Sequence, residues 1–521
     1  MKTDVDELIV YQIYPKSFCD TDGDGFGDIE GILSKIGYLK NLGVNAVWIT
    51  PWFKSPNVDN GYDVSDYRDI DENIGTLAQA ETLIRRFHEN GIAVILDLVA
   101  NHTSTKHEWF RRSRSSKDDP YRDYYIWRKT PPNDWQSVFG GSAWEKDGAT
   151  GEYYLHSFAV EQADLNWDNP KVRKEMQAVV DFWLSKGVDG FRCDMLDMIS
   201  KDIEGGKNGN GPRLHEYIRG LFGREETDGI FTVGECWSAS KENARLFCAK
   251  ERKELTTVFA FHHLCLEENK FDMGKPPLKE MCRRISDWQL AMQEAGIPAT
   301  VFLGNHDQPR PVSRFGDDKT LRYESATLLA ALVLLHRGVP FIFQGEELGL
   351  TNSRHERIED IDDVESLNYY RANLGKMPQK ALLEKINFVG RDNGRRMMPW
   401  TGKASKAWLA PYSEQREINA EKDMRSERSV YAFYQKLIAL RKSDPCFTKG
   451  EYALVALTDG YYAFKREYKG ESAIVVCVLE KRTSCPKFEG YEAVLSNYPH
   501  VGETLPPYAL VVWKKRAKTT E

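Results

Sequence analysis

GVDGFRCDMLDMISKD (187–202) opens as an apolar run of the kind that forms a buried parallel strand, and it ends in Arg192, Cys193, Asp194 and Asp197. Charges are costly where an apolar run leaves the core, unless they are put to use there. The same pattern closes three other runs: ILDLVANH ends in Asp97, Asn101 and His102, TVGECW brings Glu235, and FLGNHDQPR brings Asn305, His306 and Asp307.

Eight strand-like runs stand in order at 9–15, 46–50, 93–99, 190–194, 231–235, 257–261, 299–305 and 340–346. They are almost continuously apolar, as strands covered on both faces are. Amphipathic stretches at 77–90, 170–186 and 325–337 separate several of them. The alternation predicts an α/β chain folded as a closed parallel (β/α)8 TIM barrel, with the strand C-termini gathered at one mouth. Residues 101–169, rich in Trp, Tyr, Ser, Gly and Asp, are too long for a crossover and read as an inserted subdomain after the third strand. A second irregular interval, 351–412, is expected to cover the same mouth. The barrel is expected to take up 1–100 and 170–445, and period-two runs from 446 to 521 predict a C-terminal antiparallel β-sandwich.

Composition narrows the function. The 521 residues are 41% hydrophobic and 29% charged, with a net charge of −7, which excludes the basic face of a nucleic-acid binder. No run reaches the ~18 apolar residues of a membrane span. Acids stand in MKTDVDELIVYQIYPKSF where a signal peptide has a basic flank, and the nine cysteines form no CxxC pair. The cytoplasm is the expected compartment.

Asp194, Glu235 and Asp307 at one mouth repel each other, a cost tolerated at active sites. Two carboxylates flanking a glycosidic bond cleave it, one as nucleophile or base and the other as acid. Asp194 suits the nucleophile because Arg192, two residues back on the same face, is expected to keep it ionised. Glu235 suits the acid in an aromatic-rich pocket. Asp97, near the middle of its run, reads equally as a salt-bridge partner.

DLVANH (97–102), GFRCDMLD (190–197), TVGECW (232–237) and FLGNHD (302–307), with QADLNW (162–167), resemble the blocks of glycoside hydrolase family 13, the α-amylase family. Within it the likeness is to the oligo-1,6-glucosidase and α-glucosidase group, and VYQIYPKSF, DNGYDVSDY and QGEELGLTN extend it over roughly 8–400. The resemblance implies retaining cleavage of an α-glucosidic bond, with Asp194 as nucleophile, Glu235 as acid/base and Asp307 as the third carboxylate. It implies that Arg192, His102 and His306 hold the nucleophile and the glucose, that Tyr62 is the stacking platform, and that Phe139, Phe158 and Gln162 line the pocket. Asp59 and Arg395 match the pair that grips a terminal glucose, so exo action on isomaltose, panose or maltose is expected. DTDGDGFGDIEG (20–31) resembles the group's structural Ca²⁺ loop, through Asp20, Asp22, Asp24, the Phe26 carbonyl and Asp28, with Mg²⁺ as the other hard cation. Gly31 replaces the glutamate of an EF-hand.

Met195 after the nucleophile is neither the valine usual for α-1,6 bonds nor the smaller or polar residue of α-1,4 enzymes, so linkage stays open. Ala163 replaces a customary proline and Gly304 a frequent asparagine. Trp237 is expected beside the leaving sugar, and a shortened stretch at 267–279 is expected to open that side. A transglucosylase or sucrose isomerase is an alternative, although its RLDRD-like loop is missing. Trehalose-6-phosphate hydrolase is another, needing a phosphate pocket that no motif marks. A transporter heavy subunit does not need the three acids, nor does a pure carbohydrate-binding protein. Oligomeric state is open.

Overall fold

The computed structural model describes residues 4–264, 270–404 and 406–515. Eight parallel strands form the barrel: β1 (Val10–Ile13), β2 (Ala46–Ile49), β3 (Ala93–Val99), β4 (Gly190–Asp194), β5 (Phe231–Glu235), β6 (Thr257–Phe259), β7 (Thr300–Val301) and β8 (Val339–Phe343). They are hydrogen-bonded in the order β6-β5-β4-β3-β2-β1-β8-β7. Side chains join the two ends of this series: Thr300 Oγ1 donates to the Val258 carbonyl at 2.9 Å, and Thr257 Oγ1 to the Pro298 carbonyl at 2.7 Å. β3, β4 and β5 span the residues read from sequence. β6 and β7 are shorter, because the chain beyond Val301 bonds to side chains instead of a neighbouring strand. His263 Nε2 lies 2.7 Å from the Phe302 carbonyl, and the Asp307 amide donates to Asn305 Oδ1 at 2.8 Å.

The register aligns the charges. Arg192 pairs with Asp97 and with Val233, and Asp194 pairs with Val99. Strand C-termini carrying Asp194 and Glu235 therefore end side by side.

Helix Pro170–Ser185 starts on proline behind an Asn169 cap and buries Val172, Met176, Val179, Val180 and Trp183. Each such side chain contributes about 1.5–3 kcal/mol when fully buried. The helix over the stretch 325–337 differs from its reading. Arg322–Leu334 is buried continuously from Glu324 to Leu334 and is not amphipathic. The C-terminal domain covers the side that faces away from the barrel, where Asn497 Nδ2 donates to Thr327 Oγ1 at 2.9 Å.

The insertion after β3 is a small subdomain. Strand His102–Ser104 pairs antiparallel with Gln162–Asp164, and a three-stranded sheet is built from Trp127–Arg128, Tyr153–Leu155 and Trp144–Lys146. The buried ammonium of Lys201 ties it to the barrel. It donates to Asn101 Oδ1 at 2.8 Å and the Met198 carbonyl at 2.7 Å, and pairs with Asp164 at 2.9 Å. The 351–412 interval is not wholly irregular. It contains helices Val364–Asn373 and Gln379–Val389, which pack through Ile361, Ile386 and Val389 on Phe271.

The C-terminal domain is one five-stranded antiparallel sheet (Glu451–Leu457, Tyr461–Tyr468, Glu471–Val478, Leu510–Lys515, Tyr491–Ser496) with a two-stranded ribbon, Thr483–Ser484 against Thr504–Leu505. The expected sandwich is thus a full sheet against a ribbon. The other face of the sheet closes on the barrel at His336, whose ring stacks on Phe464 at 4.2 Å and whose Nε2 lies 2.9 Å from the Tyr462 hydroxyl. Burial pushes the His336 pKa down to about 3. Unfolding exposes an imidazole that protonates near 6.5, so this contribution is complete above about pH 6.5 and is lost as pH falls towards 3. His336→Phe is expected to flatten the acid limb of stability, measured as urea midpoints of both proteins at pH 7, 5.5 and 4. Parallel curves would remove His336 as a cause.

Candidate active site

Strand β4 places Arg192 and Asp194 on one face, two residues apart. Arg192 Nη1 donates to Asp97 Oδ1 at 2.6 Å and to Asp194 Oδ1 at 2.9 Å, while Nη2 donates to Glu235 Oε2. A single guanidinium, 2% exposed, therefore serves three carboxylates. Arg192 works in the expected direction and draws the Asp194 carboxyl toward its ionised form. Burial, reinforced by Glu235, Asp97 and Asp307, outweighs the shared arginine and pushes the Asp194 carboxyl well above the usual range. Asp97 resolves as the buried salt-bridge partner, and it also accepts from Trp48 Nε1 at 3.2 Å and the Tyr62 hydroxyl at 3.0 Å.

Glu235 is fixed from a second side by the indole N–H of Trp237, which donates to Oε1 at 3.2 Å. Met195, directly after Asp194, sits at φ 41°, ψ 44°. A non-glycine residue in the left-handed region costs about 1–3 kcal/mol, a strain typical of functional sites. It swings the chain off the strand, so the Asp194 carboxylate faces the pocket.

Asp307, His306 and Tyr62 make the next wall. Tyr62 stacks on His306, centroids 5.1 Å apart and planes within 6°. His306 Nε2 lies 3.0 Å from Asp307 Oδ2, and Arg395 Nη2 donates to Asp307 Oδ1 at 2.6 Å. Burial alone would raise the Asp307 carboxyl, but His306, Arg395 and Arg391 together hold it well below the carboxylate range.

The clamp expected between Asp59 and Arg395 is made differently. Arg391 Nη2 donates to Asp59 Oδ1 at 3.0 Å and Nε to Asp363 Oδ1 at 2.7 Å, with the guanidinium over the Phe139 ring at 4.7 Å. Arg395 lies beneath Asp307, with Nε on the His306 carbonyl at 3.0 Å. The two arginines are one helical turn apart, so RDNGRR offers both and only packing separates them. Gln162 Nε2 donates to Asp59 Oδ2 at 3.1 Å and lies 3.1 Å from His102 Nε2, whose pKa burial lowers. Phe158 packs on His102 at 5.1 Å and edge-on to Phe139 at 5.5 Å.

These groups enclose a cavity of about 1040 Å³ that Asp59, Tyr62, His102, Phe139, Phe158, Asp194, Glu235 and Asp307 line directly. Gln162, Arg192, His306 and Arg395 stand behind that wall. The 351–412 interval covers the mouth as expected, but its lining residues were not named from the sequence. Lys270 and Phe271 contribute to the outer wall, with Glu365, Asn368 and Tyr369 from helix Val364–Asn373. Phe271 stacks on Tyr369 at 4.0 Å and Lys270 pairs with Glu365, so the shortened 267–279 stretch closes this side where it is described. Residues 267–269 lie outside the described residues. Trp237, half exposed, lies flat on Phe261 at 4.2 Å and 2° beside this wall.

At the acidic loop, carboxylate oxygens of Asp20, Asp22 and Asp28 lie within 4.8 Å of one another. Asp24, expected in this set, is outside it and accepts the Phe26 amide at 2.7 Å. Gly25, at φ +101°, makes the turn.

An α-amylase catalytic-domain model matches residues 12–450. The chain belongs to the α-amylase family of glycoside hydrolases. Over its full length it is similar to an oligo-1,6-glucosidase of Parageobacillus thermoglucosidasius, 43% identical with 98% of each chain covered. Among solved structures it is similar to a trehalose-6-phosphate hydrolase of Bacillus licheniformis (TM-score 0.90, 39% identity) and a trehalulose synthase of Pseudomonas mesoacidophila (TM-score 0.93, 36% identity). Each match covers 98% of this chain and 99% of the other. Among the described residues no helix of this α-amylase family member is long and apolar enough to cross a membrane.

Proposed function

We propose that the protein is an exo-acting α-glucosidase that releases a terminal non-reducing glucose from short α-1,6- or α-1,4-linked gluco-oligosaccharides with retention. One observation carries the reading: Arg192 grips Asp194 and Glu235 together in a pocket whose far wall is the buried Asp59–Arg391 pair. Glu235 gives its proton to the glycosidic oxygen as that oxygen takes the electrons of the breaking bond, and Asp194 attacks the anomeric carbon. Water then displaces Asp194 after Glu235 takes its proton, restoring the α-configuration. Ionised Asp307 accepts two sugar hydroxyls while Tyr62 packs on the ring. Asp59 and Arg391 meet the distal hydroxyls.

The trehalose-6-phosphate alternative needs free cations. Lys270 is committed to Glu365, and Arg391 to Asp59 and Asp363. Exposed Arg371 remains as a weak counterpart for a dianion. The test is the kcat/KM for isomaltose, maltose, sucrose, trehalose, trehalose 6-phosphate and p-nitrophenyl α-glucoside, with the first-formed anomer followed by NMR. Isomaltose or maltose should lead and α-glucose should appear first. β-Glucose first would refute retention, and a lead for trehalose 6-phosphate would replace the substrate.

The acidic loop offers oxygen donors only, which fits a hard cation. Asp20, Asp22 and Asp28 would hold Ca²⁺, or Mg²⁺ in its place, as a structural ion distant from the chemistry. At a hundredfold excess over Kd such an ion stabilises by about 2.7 kcal/mol. EDTA is expected to lower Tm, Ca²⁺ to restore it, and Asp20→Asn to abolish the response. An unmoved Tm would remove the ion. Cys19, Cys193, Cys236, Cys248, Cys446, Cys477 and Cys485 are free thiols, which fits a reducing compartment such as the cytoplasm.

A further inference from the structure

Asp197, the last acid of the GFRCDMLD block, takes no part in the chemistry above, yet it is buried, 4% exposed. It lies in the short 3-10 turn Leu196–Met198 that follows the left-handed Met195. The turn is anchored from behind, where the Asn210 amide donates to the Asp197 carbonyl at 2.6 Å. Its carboxylate crosses to the neighbouring strand end and accepts the backbone N–H of Ser238 at 2.7 Å. Ser238 directly follows Trp237, whose indole N–H bonds Glu235 Oε1 at 3.2 Å.

We propose that Asp197 is a positioning residue for the acid/base step: it fixes the loop after β5 so that Trp237 holds the Glu235 carboxyl against the glycosidic oxygen. The chain of contacts is short and directional. Arg192 governs one Glu235 oxygen and Trp237 the other, so the carboxyl has its rotation fixed only while the indole stays in place. Phe261 steadies the indole face but leaves it free to slide in plane. The bond to the Ser238 amide prevents that sliding, because it pins the backbone immediately after the tryptophan. The same bond couples the turn that carries the nucleophile to the loop that carries the acid, so both ends of the reacting pair move together.

The inference rests on the reading of Glu235 as the acid, and the test separates the two. Leaving fluoride needs no proton, whereas the sugar leaving isomaltose does. With Asp197→Ala, kcat/KM on isomaltose is expected to fall about 10²-fold, the cost of misplacing a catalytic group by an ångström, and on α-glucosyl fluoride by less than about threefold. Asp197→Asn keeps an acceptor for the Ser238 amide and should restore isomaltose activity. Trp237→Phe keeps the stack and loses the N–H, so it should reproduce the isomaltose-selective loss even if Asp197→Ala fails to fold. Equal losses on both substrates, or none, in either loss variant would overturn the role of Asp197. If Glu235→Gln itself shows no such selectivity, the acid assignment fails instead.

Discussion

Replacing Asp194 by Asn leaves the fold intact and reduces turnover of isomaltose by about 10⁴-fold or more, while Glu235→Gln costs roughly 10²–10⁴-fold. Neither change removes volume, and each leaves an acceptor for Arg192, so circular dichroism and Tm should stay close to the parent. The two losses differ in kind. Without the Asp194 carboxylate no covalent glucosyl intermediate forms, and no leaving group rescues the variant. Without the Glu235 proton, activity returns in proportion to the acidity of the leaving group. A small external nucleophile gives a sharper reading. Azide added to Asp194→Gly should occupy the vacated space and yield β-glucosyl azide, the inverted product. Formation of α-glucosyl azide there, or wild-type turnover in both conservative variants, would end the assignment of the pair.

The second large effect belongs to Arg391. Arg391→Met strips the cation from two buried acids, Asp59 and Asp363, both 5% exposed or less at the side chain. Uncompensated buried charge of this kind costs about 3–5 kcal/mol, read as a fall in Tm. KM for isomaltose should also rise, because the distal hydroxyls lose their grip. Lysine should not rescue, since a point charge cannot span Asp59 and Asp363 as the guanidinium fork does. A partner change separates structure from binding: Asp59→Asn in the Arg391→Met background should recover stability but not KM. Unchanged Tm and KM in Arg391→Met would leave the clamp without a role.

Where the sequence was informative, it was so for physical reasons. β3, β4 and β5 end where an apolar run meets charge, and a barrel strand has to stop there. The acids and Arg192 follow because strand ends share one mouth, whereas Tyr62 was legible only through the family resemblance of DNGYDVSDY. Asp59 lies before a glycine turn that packing pulls inward. Arg391 was harder: two arginines one turn apart differ only in which acid each reaches. Helix Val364–Asn373 carried little signal, because Leu367, Tyr369 and Tyr370 do not recur on a single stripe and the helix is held by the Phe271–Tyr369 stack and by Asn368 Nδ2 on the Phe139 carbonyl at 3.0 Å. The left-handed Met195 had no local marker, since glycine or asparagine is the usual sign of that conformation. The short β7 came from side chains of the NHD segment bonding their own backbone, which apolar runs do not reveal.

Lys201 has a consequence for how the molecule meets its surroundings. Its ammonium fills the seam between inserted subdomain and nucleophile turn, bonded to Asp164, Asn101 and the Met198 carbonyl. A cationic group carried on the polypeptide cannot diffuse away. Dilution or competing anions can leach an ion from an acidic loop, but this joint is tied by a side chain of the protein itself, so the seam needs no added ion.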